Sequence, residues 1–319
     1  MKARRVWLTI SALAAAALVV ILFHVVGATG RDVVDALLGA PLWMLAALTF
    51  LTGANKLIGA AKWGAAARWL APDARAPRFW RRVELTAIGS LFGQLAPVQL
   101  ANAAVRWLEA RGRGEGGDAV GATLYEQVFD LIALIAFGAC GAAILWLAPS
   151  APVALALLAA TAAVSLAAFG FGCRVAAVLC RRVGDRIGGA PFLDRAGEAF
   201  ARAAAAPFPV SARLFAWSSL RVAATAGRLV VAVIVFAPAA SPLLAAAGYP
   251  LAGLALAAPI FPAGIGLAEW TLSGLLVLAG AAASAAAVTA VAFRLANLAS
   301  LIVVLALLAG ARLARRLMA

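Results

Sequence analysis

The chain has 319 residues, of which 65% are hydrophobic and 13% charged, with a mean hydropathy of +1.00. No soluble domain of this length needs so much apolar surface, which excludes a soluble enzyme, and the net charge of +14 does not point to nucleic acid because the charges sort by side of a membrane. One histidine and three cysteines without zinc or disulfide spacing exclude histidine triads and metal centres, and no cofactor is expected.

Runs of roughly 20 apolar residues, each enough to cross about 30 Å of hydrocarbon, place full spans near 6–26, 41–67, 119–147, 152–179, 212–237 and 285–310. The amino-terminal MKARR and the run behind it read as a retained first span rather than a secretory signal, since the A-L-A-like sites lie inside the run. Residues 31–38 (RDVVDALL) are either a short outer interfacial helix, with Asp32 and Asp35 on its polar edge, or a simple connector. The linker 71–82, rich in proline, arginine and aromatic residues, suits the cytoplasmic headgroup layer.

Two apolar stretches are interrupted. The segment near 84–107 is broken at Pro97, and the segment near 241–280 at Pro262, with Gly264 and Gly266 close behind. Irregular backbone at membrane depth is tolerated where it is buried in protein or lines a polar cavity, and a pair of such breaks in two halves points to a transporter's substrate site. The loop 108–118 is polar and glycine-rich but carries no Walker pattern. Residues 181–206 form a cytoplasmic connector leading into an amphipathic helix, lying on the inner leaflet or packed on the bundle. The whole chain, 1–319, reads as one integral membrane domain with pseudo-repeat halves of about 1–148 and 149–319.

Most of the 27 basic residues cluster before the first span, after the second (Lys62, Arg68, Arg75, Arg78, Arg81, Arg82), around 106–113, between Arg174 and Arg213, and at the carboxyl end. The opposite loops hold only Arg31. Both termini are then cytoplasmic, in an inner membrane. The count also makes the two broken segments open toward opposite faces, the arrangement of an inverted repeat. The expected fold is all-α: a polytopic integral membrane helical bundle with two oppositely oriented broken-helix, re-entrant hairpins.

Charges at membrane depth face the protein interior and pair. Glu126 and Asp130 lie four residues apart on one helix face, and Arg221 and Arg228 seven apart on another. Lys56 lies within the second span, Arg106 ends the first broken segment, Glu269 closes the second, and Arg294 sits deep in the last span with Asn297 behind it. For Glu126 and Asp130, structural pairing, organisation of a lipid site and acid–base catalysis all stay open. Arg228 and Arg294 suit an anion, since guanidinium binds phosphate bidentately, whereas Arg221 could instead snorkel to the interface. Half-helices starting after Pro97 or Pro262 would add unpaired amides to such a site.

Three stretches, LAPVQLANAAVR, TLYEQVFDLIAL and FPAGIGLAEW followed by AFRLANL, resemble the lysylphosphatidylglycerol synthase transmembrane, flippase-like family, in stand-alone form without the soluble aminoacyl-transfer domain. Pro262, Gly264, Gly266, Glu269 and Arg294 match the family's third motif, and Glu126 and Asp130 its second. Ala101, Asn102 and Ala103 stand where two glycines and an acid are usual, and Gln127 where an arginine is. The resemblance implies binding of an amphiphile with an anionic headgroup and its movement between leaflets. On this reading Arg106, Arg228 and Arg294 meet the headgroup, Glu126, Asp130 and Glu269 position them or contact a cationic group, and Asn102, Gly264 and Gly266 belong to the same substrate site. The expected partner is a phospholipid, polyprenyl-linked or hopanoid-type lipid, with no nucleic acid and no enzymatic step. The alternatives are an intramembrane transferase using a lipid-linked donor, and a non-transporting partner of a lipid- or glycan-modifying enzyme.

Overall fold

A computed structural model describes residues 17–72, 77–94, 98–147, 150–186, 191–257 and 265–317. Pro97, Pro262 and Gly264 lie outside the described residues, as do residues 6–16 of the expected first span. Among the described residues the structure is helical, without strands.

Five helices are long and apolar enough to cross a membrane: α3 (Leu42–Leu70), α6 (Gly116–Leu147), α7 (Ala151–Arg186), α9 (Phe208–Phe236) and α12 (Ala283–Leu317). They run 29 to 36 residues, well beyond the roughly 20 that hydrocarbon requires, so their ends project past it. They coincide with five of the six expected full spans. Toward the amino terminus, α1 (Ala17–Val26) turns by 86° into α2 (Gly30–Leu38). Thr29 fixes the turn, its hydroxyl accepting the Asp32 amide at 3.3 Å while the Asp32 carboxylate accepts the Thr29 amide at 2.7 Å.

Each interrupted segment is a pair of short helices: α4 (Phe79–Phe92) with α5 (Val98–Ala110), and α10 (Pro242–Ala257) with α11 (Leu267–Leu278). The longest, α10, has 16 residues, about 24 Å at 1.5 Å per residue, and falls short of a full crossing. Each pair packs on itself. The open end of the first pair is tied by Arg81 of α4 to Glu109 of α5 at 2.6 Å, beside the tail of α12, where Arg312 pairs with Glu84. That of the second is tied by the Ser241 amide to the Ala279 carbonyl at 2.7 Å, beside the start of α12. The two pairs therefore open at opposite ends of α12.

At the centre α3 and α9 run antiparallel. Asn55, Gly59, Lys62 and Ala66 recur at helical spacing and meet Thr225, Arg221, Ser218 and Leu214 in reverse order. In contrast α12 lies parallel to α3, Ala296 packing with Leu48 and Val304 reaching Gly53. The succession long helix, short pair, long helix occurs twice, as α3–α6 and α9–α12. The pairings of the first set, α3 on α4, α4 on α5, α5 on α6, recur as α9 on α10, α10 on α11, α11 on α12, and α6 packs on α10 as α12 does on α4.

The α6–α10 crossing is close because Gly141 of α6 faces the Ala247 carbonyl, where no Cβ fits. Gly141→Ala is expected to cost about 1–3 kcal/mol by overpacking, measured as a fall in thermal midpoint in detergent. The helix α8 (Pro191–Ala204) follows α7, which continues to Arg186 inside the expected connector. Its Arg202 donates to the Leu70 carbonyl at 2.8 Å, docking α8 on the end of α3.

Candidate functional site

The intramembrane charges fall into three groups. In the first, Arg106 of α5 is 1% exposed and donates to Glu126 at 2.6 Å and to Thr123 at 3.2 Å, with its guanidinium over the Trp63 ring at 4.3 Å. Lys62 of α3, wholly buried, donates to Asp130 at 2.5 Å, to the Glu126 carbonyl at 3.0 Å and to Ser218 at 3.2 Å. Arg221 of α9 takes the other Asp130 oxygen at 2.6 Å. Glu126 and Asp130, one turn apart on α6, thus each hold cations from other helices, which is the pairing alternative of the sequence reading.

The expected cytoplasmic position of Lys62 is corrected here. It lies two turns before the end of α3, and carboxylates and hydroxyls from α6 and α9 take its ammonium inside the bundle. Arg106 likewise belongs to the interior rather than the flanking basic cluster.

In the second group, Lys56 donates to the Ser90 hydroxyl at 2.7 Å, and Arg228 to Asn297 at 3.2 Å and Thr225 at 2.9 Å. Among the described residues no carboxylate pairs with either. The third is Glu269, which receives Arg294 at 2.7 Å on one oxygen and the Gly266 amide at 2.6 Å on the other. Gly266 has φ +85°, a backbone region open to glycine, and it sets the entry into α11. Arg294 and Asn297 are one turn apart on α12, so the second and third groups share that helix.

The short pairs meet α6 about two to three turns apart. Gln127 donates to the Gln99 carbonyl at the start of α5 at 3.3 Å, while Leu251 and Leu254 of α10 lie against Gly138 and Gly253 against Leu134. Asn102 is buried in the α4–α5 crossing against Gly89. Neither Lys62, expected in the cytoplasmic basic cluster, nor Lys56 was among the expected site residues. The signal for both was a lysine inside the apolar span expected at 41–67.

At the open end of the first pair, the Arg81 hydrogen bond holds Glu109 below its ordinary 4.5. A depressed folded value means the stabilisation is present above the unfolded value and is lost as pH falls through the folded one. Stability measured from pH 6 downward should fall below the usual carboxylate range, and less so in Glu109→Gln.

Residues 8–307 match the family model described as the lysylphosphatidylglycerol synthase TM region. The chain belongs to this family. Membership, together with five long apolar helices, makes it a multi-pass membrane protein with a membrane-lipid-related role. No curated protein matches the chain significantly. Within the family reading, the third motif corresponds to the Gly266–Glu269–Arg294 group, and the diverged first stretch contributes Arg106 and the buried Asn102.

Proposed function

We propose that the protein moves an amphiphile with an anionic headgroup between the leaflets of an inner membrane, without ATP and without covalent chemistry. The observation that carries this reading is the cation-rich network inside a bundle in which two short helix pairs, opening at opposite ends, both pack on α6, the first beside the network and the second about two to three turns further along. Broken helices that enter from opposite faces give a headgroup a polar path through hydrocarbon. We read α3–α6 and α9–α12 as an inverted repeat, with both termini and the arginine-rich end cytoplasmic by the positive-inside rule.

In this reading Arg228 and Arg294 contact the headgroup phosphate, Glu269 aims Arg294 and pins the start of α11, and Arg106 positions α5 against α6. Glu126 and Asp130 are held by cations, which favours positioning over acid–base work. The test is exchange of a headgroup-labelled lipid in proteoliposomes. Arg228→Gln is expected to slow exchange at least tenfold while the protein keeps its elution volume and helical content. Exchange at the wild-type rate would overturn the assignment of Arg228.

A further inference from the structure

Among the described residues, the buried Lys56 and the partly buried Arg228 have no carboxylate partner. Lys56 is 6% exposed, and its ammonium is met by the neutral Ser90 hydroxyl, which itself donates to the Thr86 carbonyl at 2.8 Å. Its charged neighbours are Arg228 and Arg221, both positive. Arg228 donates to Asn297 and Thr225, and its Nε has no hydrogen-bond partner among the described residues. Lys56 and Arg228 are close enough for Arg228 to act on the Lys56 charge, and Asn55, the neighbour of Lys56 in α3, donates to the same Thr225 hydroxyl at 3.2 Å.

The deficit is not made up nearby. Among the described residues, the carboxylates that pair with cations in this region are Glu126 and Asp130, and both are taken by Arg106, Lys62 and Arg221. Five cations therefore face two carboxylates. A buried charge without its partner is strongly unfavourable, and such an excess persists where a ligand supplies the missing charge. A phosphodiester brings one negative charge and leaves most of the excess in place. A phosphomonoester or diphosphate brings two or three.

We propose that Lys56 and Arg228 together seat a phosphate group of two or more negative charges on a lipid, a phosphomonoester or diphosphate, and that Lys56 selects it over a singly charged phosphodiester. This rests on the anion-binding part of the proposed function and not on translocation. Lys56 supplies a compact point charge and Arg228 a planar fork, so a terminal phosphate can be held from two sides.

The test uses the full chain in phosphatidylcholine nanodiscs containing either phosphatidic acid or phosphatidylglycerol at about pH 8, above the second phosphate ionisation of about 6, with retained lipid counted by native mass spectrometry. Phosphatidic acid is expected to be retained at least tenfold over phosphatidylglycerol. Lys56→Met should abolish that preference and raise the thermal midpoint of the lipid-stripped protein, since it removes an unpaired buried charge. Lys56→Arg, which keeps the charge, should retain the preference. Equal retention of the two lipids, unchanged retention in Lys56→Met, or a lowered midpoint in that variant would overturn the proposal. Displacement of phosphatidic acid by inorganic diphosphate at equal concentration would assign the seat to a soluble anion and overturn the lipid assignment. Loss of leaflet exchange with lipid retention intact would sink translocation alone.

Discussion

Glu126→Ala is expected to destabilise the protein by about 3–5 kcal/mol, the largest effect of any single substitution in the membrane network. The carboxylate is 2% exposed and accepts Arg106 at 2.6 Å, with Lys62 at 3.8 Å from its second oxygen. Its removal leaves a guanidinium buried against Trp63 with only the Thr123 and Thr86 hydroxyls as partners. The cost is the stranded charge rather than the lost bond. Arg106→Met in the same chain should therefore recover much of it, because replacing both members of a buried pair with apolar groups is often near neutral. Chemical or thermal unfolding in detergent measures this. If the double variant is as unstable as the sum of the two single ones, the pair is not coupled as described.

The second large effect concerns Arg294 and Glu269, whose substitutions should separate function from folding. Arg294→Gln is expected to reduce lipid exchange more than tenfold with a small change in thermal midpoint, since its side chain is 23% exposed and polar surroundings remain. Glu269→Ala does more than remove a charge. It also strips the acceptor from the Gly266 amide, worth about 1 kcal/mol as a lost cap, at a turn that glycine alone enters easily. It should lose both exchange and stability. Glu269→Gln, which still offers an oxygen to Gly266, should regain the stability without the exchange. A Glu269→Gln protein that exchanges lipid at the wild-type rate would remove the carboxylate from the site.

The long helices were legible because a run of apolar residues is a local property, and hydrocarbon thickness sets its length. The short pairs were legible for the same reason, through prolines that no uninterrupted span tolerates well. Ion-pair partners were not. Lys62 meets Asp130 across 68 positions of sequence and Arg221 meets it across 91, and such contacts depend on how each helix is rotated about its own axis. Spacing did show that Glu126 and Asp130 share a face, but not that Lys62 of α3 would fill the gap between them. Lys62 was misplaced for a physical reason. Continuing to Leu70, α3 is 29 residues long and exceeds the hydrocarbon thickness by more than two turns, so a lysine 20 residues along it is still inside the bundle.

The family motif was legible as residues and became geometry in the structure: the glycine with φ +85°, the carboxylate that caps it and the arginine that the carboxylate holds. Asn102 is buried in the structure. Expected at the site from its place beside the first break, it has its side chain against Gly89, which makes room for it in the α4–α5 crossing, and its Oδ1 has no hydrogen-bond partner among the described residues.

Leaflet exchange by the unaltered protein tests the central claim most directly. Purified protein reconstituted at about one copy per vesicle, with a fluorescent anionic phospholipid in both leaflets and neither ATP nor an ion gradient, should expose the inner-leaflet label to a membrane-impermeant quencher within minutes. Quenching that stops at the outer-leaflet half, as in protein-free vesicles, and stays there when proton or sodium gradients of either sign are imposed, would contradict it.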